Sequence, residues 1–229
     1  MLARYGLYDR RSRKYYNELA KAQSGAIEPM TVAVLPSLNQ VQMANGDVKT
    51  IQTNRTWRQF TSLKQGFENT RGVRLAYYNG TIEILMLGLN HELFKSIIGF
   101  LIETFLFHQR IEFTPTGSAT QEKDGIVSAE ADESYEIQGF KLAIEVDFTH
   151  GSVSKLERYA ILGTDEVWIW EDGILDIYWL DGAGYRKADR SQIPALSPIN
   201  RSLMSKCILI GETSRIQAGD RLLSSVQSK

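Results

Sequence analysis

The chain has 229 residues, 43% hydrophobic and 23% charged, enough for one sizeable soluble domain with extensions or for two small domains. Its formal net charge is −1, from 26 Lys+Arg against 27 Asp+Glu, which makes no global electrostatic case for nucleic acid and none against a local basic groove. Cys207 is the only cysteine, so an intramolecular disulfide and a cysteine-based zinc cluster within one chain are excluded. With no signal-peptide-like apolar core at the start and no apolar run of spanning length, a reduced, cytoplasmic protein is expected.

Residues 1–50 read as a poorly defined extension, ahead of a domain over 51–229. Arg4, Arg10, Arg11, Arg13 and Lys14 make its start locally basic, most often the mark of a solvated arm, with phosphate binding as the alternative. "YYNELAKA" suits a short helix and "MTVAVLP" a strand. Thr56 then caps a helix over "WRQFTSLKQG", with Trp57, Phe60 and Leu63 at helical spacing and Gly66 as its stop. "VRLAYYNGTIEILML" reads as two strands turned by Asn79-Gly80, since both residues tolerate positive φ. Asn90 is the expected cap of a broadly apolar, buried helix through "HELFKSIIGFLIETFLFHQ".

Three strand-like segments follow: "RIEFTPTGSAT", a piece from Asp132 to Ile137, and "KLAIEVDF". Ser152 or Ser154 opens a helix closed by Gly163, and "EVWIWE" is the next strand. A strand–helix–strand crossover of this kind predicts parallel neighbours. "ILDIYWL" and "GYRKA" form a hairpin around Asp181-Gly182, and the tail from Ile193 is expected to be helical. Together these predict an α/β (mixed α+β) fold, a mixed central sheet flanked by helices.

Acidic residues sit where they are least expected. Carboxylates are poor strand residues, yet Asp132, Glu145 and Asp147 fall in two segments expected to lie side by side. Glu145 and Asp147 share one face of their strand. Three converging carboxylates would repel one another unless a cation lay between them, and a hard divalent cation favours such oxygen donors. Lys155, near the start of the next helix, could reach back to position a water or stabilise charge on a phosphate. The alternative is that these acids are solvated strand ends and Lys155 is a surface residue.

"GSATQEKDGIVSAEADESYEI", followed by "LAIEVDFTHGSVSKLERYAILGTDEVWIWEDGILDIYWL", resembles the Uma2 (DUF820) family of the PD-(D/E)XK restriction-endonuclease-like superfamily, and "TWRQFTSLKQGFENTRGVRLAYYNGTIEILMLGLNHELFKSII" resembles its front half. The resemblance covers roughly residues 55 to 225 and implies a restriction-endonuclease-like core of helix, three strands, helix and strand. It places Asp132 and Glu145 as metal ligands for Mg²⁺ or Mn²⁺, with Asp147 and Glu92 as further candidates, and Lys155 as the catalytic lysine. Ala131 replaces the family's proline, and Asp147 stands at the usual lysine position, so Lys155 is a lysine displaced onto the helix. Glu103 is a second candidate acid on the first core helix. His91 is expected to make a hydrogen bond rather than bind metal, and His150 is left open. Trp168, Trp170 and Trp179 read as packing rather than base-stacking residues. Gly117, Ser118 and Thr120 would admit a backbone or phosphate at close range, and an ordinary bend explains their small side chains equally well.

The implied activity is metal-dependent hydrolysis of DNA phosphodiesters, with a homodimer as the expected assembly and no membrane partner. The competing reading is a catalytically silent relative that binds nucleic acid or a protein.

Overall fold

Short-range signals account for the front of the fold. The computed structural model describes residues 47–148 and 152–226, apart from the side chains of 152–154. The basic run, the "YYNELAKA" helix, the "MTVAVLP" strand and His150 lie outside the described residues. After β1 (Val48–Gln52), Thr56 caps α1 (Trp57–Gly66): its hydroxyl accepts from the Gln59 N–H, and the Gln59 side chain accepts from the Thr56 N–H. Strands β2 (Val73–Tyr78) and β3 (Thr81–Met86) join at Asn79 and Gly80, whose φ values of 46° and 71° are those of a mirror-image two-residue turn. Phe60 of α1 packs with Leu75, Tyr77 and Ile82 of this hairpin.

The next helix, α2 (Leu89–His108), buries Ile97, Ile98, Leu101, Ile102, Phe105 and Leu106, adjacent pairs recurring every four residues. That pattern makes one wide apolar face. The helix starts one residue before the expected cap: Gly88 is the N-cap, without a side-chain cap of its own, and Asn90 lies inside the first turn. The carboxylate of Asp47 accepts from the Gly88 N–H at 2.8 Å.

The middle of the chain departs most from expectation. "RIEFTPTGSAT" is divided between β4 (Phe113–Pro115) and the start of β5 (Thr120–Lys123), and Val127–Glu130 is a separate strand, β6. There follow β7 (Glu133–Ile137), β8 (Phe140–Val146), α3 (Ser152–Leu162), β9 (Glu166–Glu171), β10 (Ile174–Asp181) and β11 (Gly184–Ala188). The tail is helical but in pieces: a 3₁₀ turn (Pro194–Leu196), α4 (Arg201–Gly211) capped by Asn200, and α5 (Arg215–Val226).

Among the described residues the strands form two sheets rather than the single one expected. The first is antiparallel, in the order β1-β3-β2-β6-β5; the second is mixed, in the order β11-β10-β9-β8-β7-β4. Within the second, β8 and β9 are parallel across α3, as the crossover predicts. One face of this sheet, with Leu142, Ile144, Val146, Trp168 and Trp170, packs on α2, α4 and α5. The opposite face, with Ala143, Val167 and Ile169, meets Tyr159 of α3. The fold is therefore mixed α+β, sheets flanked by helices. No helix among the described residues is long and apolar enough to cross a membrane.

Candidate active site

The chain passes from one sheet to the other at Ala131 and Asp132, between β6 and β7. At that crossing the Asp132 N–H donates to Ile144 O at 3.1 Å, and Asp132 Oδ2 accepts from the Val146 N–H at 2.7 Å. The side chain thus takes a β8 amide that has no strand partner on this side. In β8, Leu142, Ile144 and Val146 enter the main core, so Glu145 shares the other face with Ala143. Helix α3 covers that face and supplies Lys155 and Tyr159, one turn apart.

Lys155 Nζ lies 2.8 Å from Glu145 Oε2 and 3.4 Å from Asp147 Oδ2, and the Tyr159 hydroxyl donates to Glu145 Oε1. Asp132, Glu145, Asp147 and Lys155 are each at most 5% exposed. Charges buried to this degree are costly unless paired. Burial by itself would lower the basicity of Lys155, but Glu145, Asp147 and Asp132 outweigh it and hold the ammonium charged. Burial likewise favours the acid form of Asp132, but the close contact with His91, then the His91 and Lys155 charges, keep its pKa below the ordinary value. For Glu145 burial prevails over the pull of Lys155, so its pKa is raised. Two neighbouring carboxyl groups are thereby driven apart in acidity, a pattern typical of acid–base sites.

Charged residues from five other elements surround this group. His91 of α2 is fully buried, with Nδ1 2.7 Å from Asp47 Oδ2 and Nε2 2.8 Å from Asp132 Oδ1. Burial would lower its pKa, but Asp132 and Asp47 raise it to about 9. The His91–Asp132 contact is short yet not aligned as a hydrogen bond, so it acts as an ion pair and leaves Asp132 Oδ1 without an aligned donor. Arg74 of β2 pairs with Glu130, donates to Ser118 Oγ at 2.9 Å and brings Nε within 3.3 Å of Asp132 Oδ1. Ser118 donates in turn to the Asp132 carbonyl at 2.9 Å. Glu83 of β3 lies between Lys49 (3.3 Å) and Arg158 (3.5 Å). Arg74, Glu130, Asp132, Glu145, Lys155 and Arg158 line one cleft between the first sheet and α3, with room for a water or a small ion.

The structure thus brings Asp132, Glu145, Asp147 and Lys155 together and leaves the helix acids aside. Glu92 is half exposed beside Lys95 at 3.7 Å and does not line the cleft, and exposed Glu103 accepts from the Tyr135 hydroxyl. The contribution of α2 is His91 instead. Trp168 and Trp170 are core residues, and Trp179 packs on Phe140. Ser118 braces Asp132 and Arg74, and the Gly117 carbonyl accepts from Ser134 Oγ.

Tyr159 was open to discovery from its spacing of four from Lys155 on one helix. Arg158, three residues after Lys155, shares that helix, whereas nothing in the sequence singled out Asp47, Arg74 or Glu83, which reach the site through long-range folding alone.

Asp132 Oδ1, a buried acceptor without an aligned donor, and the adjacent Glu145 fit a hard divalent cation in donor chemistry. Among the described residues no three His, Cys, Asp or Glu side chains are grouped to hold a metal ion by themselves, so waters or substrate oxygens would have to complete the shell. No family model matches the chain, and no curated protein matches it in sequence.

Proposed function

We propose that the chain is a metal-dependent nuclease with a restriction-endonuclease-like core, related to the Uma2 family and hydrolysing DNA phosphodiester bonds. The observation that carries this reading is the convergence of Asp132, Glu145 and the buried Lys155 ammonium, from the sheet crossing, β8 and α3, on one cleft. On this reading Asp132 and Glu145 hold Mg²⁺ or Mn²⁺, with Asp147 beside them. The bound ion supplies Lewis acidity toward a water and a phosphate oxygen.

The chain's own residues would do the rest. Lys155, held charged by three carboxylates, orients the attacking water and offers positive charge to the phosphate. Arg74 and Arg158 at the cleft wall add positive charge where a phosphodiester backbone would enter. A homodimer is the expected assembly, because cutting two strands calls for two sites.

A second reading, a catalytically silent module that binds nucleic acid or a protein, is favoured by one observation: Lys155 and Tyr159 already occupy both oxygens of Glu145. Calorimetric titration with Mn²⁺ and Mg²⁺, then plasmid cleavage, separates the two. The nuclease reading expects binding and cleavage in the wild type and loss of both in Asp132→Asn and Glu145→Gln. A wild type that binds no metal, with or without DNA, leaves only the binding module.

A further inference from the structure

We propose that Asp47, ahead of β1, is a positioning residue for the Asp132 carboxylate, acting through His91; its bearing on metal binding rests on the nuclease reading above. Asp47 and His91 side chains are 1% and 0% exposed, so neither contact is a surface accident. Asp47 uses both oxygens: Oδ1 accepts from the Gly88 N–H at 2.8 Å, and Oδ2 lies 2.7 Å from His91 Nδ1. One carboxylate thus ties the start of α2 and the His91 ring to the same point. With Nδ1 held, the opposite nitrogen, Nε2, is fixed 2.8 Å from Asp132 Oδ1. The Phe148 ring, its centroid 6.3 Å away and inclined at 67°, lies against the imidazole.

Other contacts already hold the rest of Asp132: Val146 takes Oδ2, and Ser118 takes the backbone carbonyl. Oδ1 is the oxygen without an aligned hydrogen-bond donor, and its surroundings are set by His91 Nε2 at 2.8 Å and by Arg74 Nε at 3.3 Å. Residues that hold a ligating carboxylate from behind are a known means of orienting a metal site. Here the partner behind the histidine comes from a segment 44 residues before it.

A simpler role for Asp47 would be to cap α2, and the test must separate the two. Asp47→Asn keeps an acceptor for the Gly88 N–H while replacing the oxygen that faces His91. The first measurement is the Asp132 carboxyl ¹³C signal in the metal-free full chain, in wild type, Asp47→Asn, His91→Gln and the double variant. Positioning through His91 expects both single variants to shift that signal, with the double variant shifting it no further than His91→Gln alone. An unmoved signal in Asp47→Asn, or independent, additive shifts, overturns the proposal and leaves Asp47 a helix cap.

Mn²⁺ calorimetry on the same proteins then measures the consequence, an expected loss of affinity of about tenfold in each single variant and no further loss in the double. A wild type that binds no Mn²⁺ defeats the nuclease reading, whereas the positioning role stands or falls on the carboxyl signal.

Discussion

Lys155 Nζ stands 2.8 Å from Glu145 Oε2, an ammonium delivered by α3 onto a carboxylate of β8 that points away from the main core. Both groups are almost sealed from water, and both carry raised pKa values. The lysine is raised because three carboxylates outweigh its burial, and the glutamate because burial outweighs one ammonium. The site therefore keeps its cation charged and disfavours the charge on its acid.

Lys155→Met keeps much of the side-chain volume and removes the charge. It should cost about 3–5 kcal/mol of folding stability, since Glu145 and Asp147 lose a buried counter-charge. Adding Glu145→Gln should recover part of that loss. Urea denaturation of the single and double variants checks this; identical stabilities for the two would show that the ion pair is not coupled.

Tyr159→Phe deletes the hydroxyl that donates to Glu145 Oε1 and leaves the packing of the ring intact. A hydrogen bond to a buried charged group is worth about 1.5–3 kcal/mol. The variant should lose stability in that range in thermal or chemical denaturation, and less in a Glu145→Gln background.

Glu83 gives a pH signature. Burial favours its acid form, but Arg158, Lys49 and Lys155 together hold its pKa below the usual value of 4.5. A folded pKa below the unfolded one means stability present above pH 4.5 and lost as pH falls through the folded value. The stability gap between wild type and Glu83→Gln should be constant near neutrality and narrow in acid. A gap that widens below pH 4.5 would contradict the assignment.

Gly211, at the end of α4, has no room for a side chain: a Cβ there would lie 2.5 Å from Ile97 Cγ2. Gly211→Ala should cost about 1–3 kcal/mol by overpacking α2 against α4. In an Ile97→Ala background the same substitution should cost almost nothing, which a denaturation cycle of the four proteins would reveal.

Cys207 is buried in the main core, and burial pushes its thiol up to about 11. It should resist thiol-directed reagents in the folded protein and react at the rate of unfolding when denaturant is added. Rapid labelling under native conditions would indicate that α4 leaves the core readily.

Residues adjacent in sequence made much of the fold legible. The Thr56 capping box, the Asn79-Gly80 turn and the parallel crossover over α3 all follow from spacing and backbone preference. Asp132, Glu145, Asp147 and Lys155 could be named together because strand alternation and one crossover helix relate them by short paths. The division into two sheets was not legible, since β6, paired locally with β5, joins the distant β2 through contacts that no local pattern encodes. The start of α2 was misplaced for a similar reason: the amide of its N-cap residue, Gly88, is satisfied by Asp47, not by a neighbour.

The sequence by itself therefore determined which residues prefer helix, strand and turn, and which carboxylates would lie near one strand pair. The tertiary structure decided what those carboxylates face. His91, Arg74, Glu83 and Asp47 join the site from elements far apart along the chain, and a buried charge takes whatever partner the fold brings within reach. Local preferences act over a few residues, whereas Coulombic pairing and desolvation act through space, so only the assembled sheets and helices settle the second.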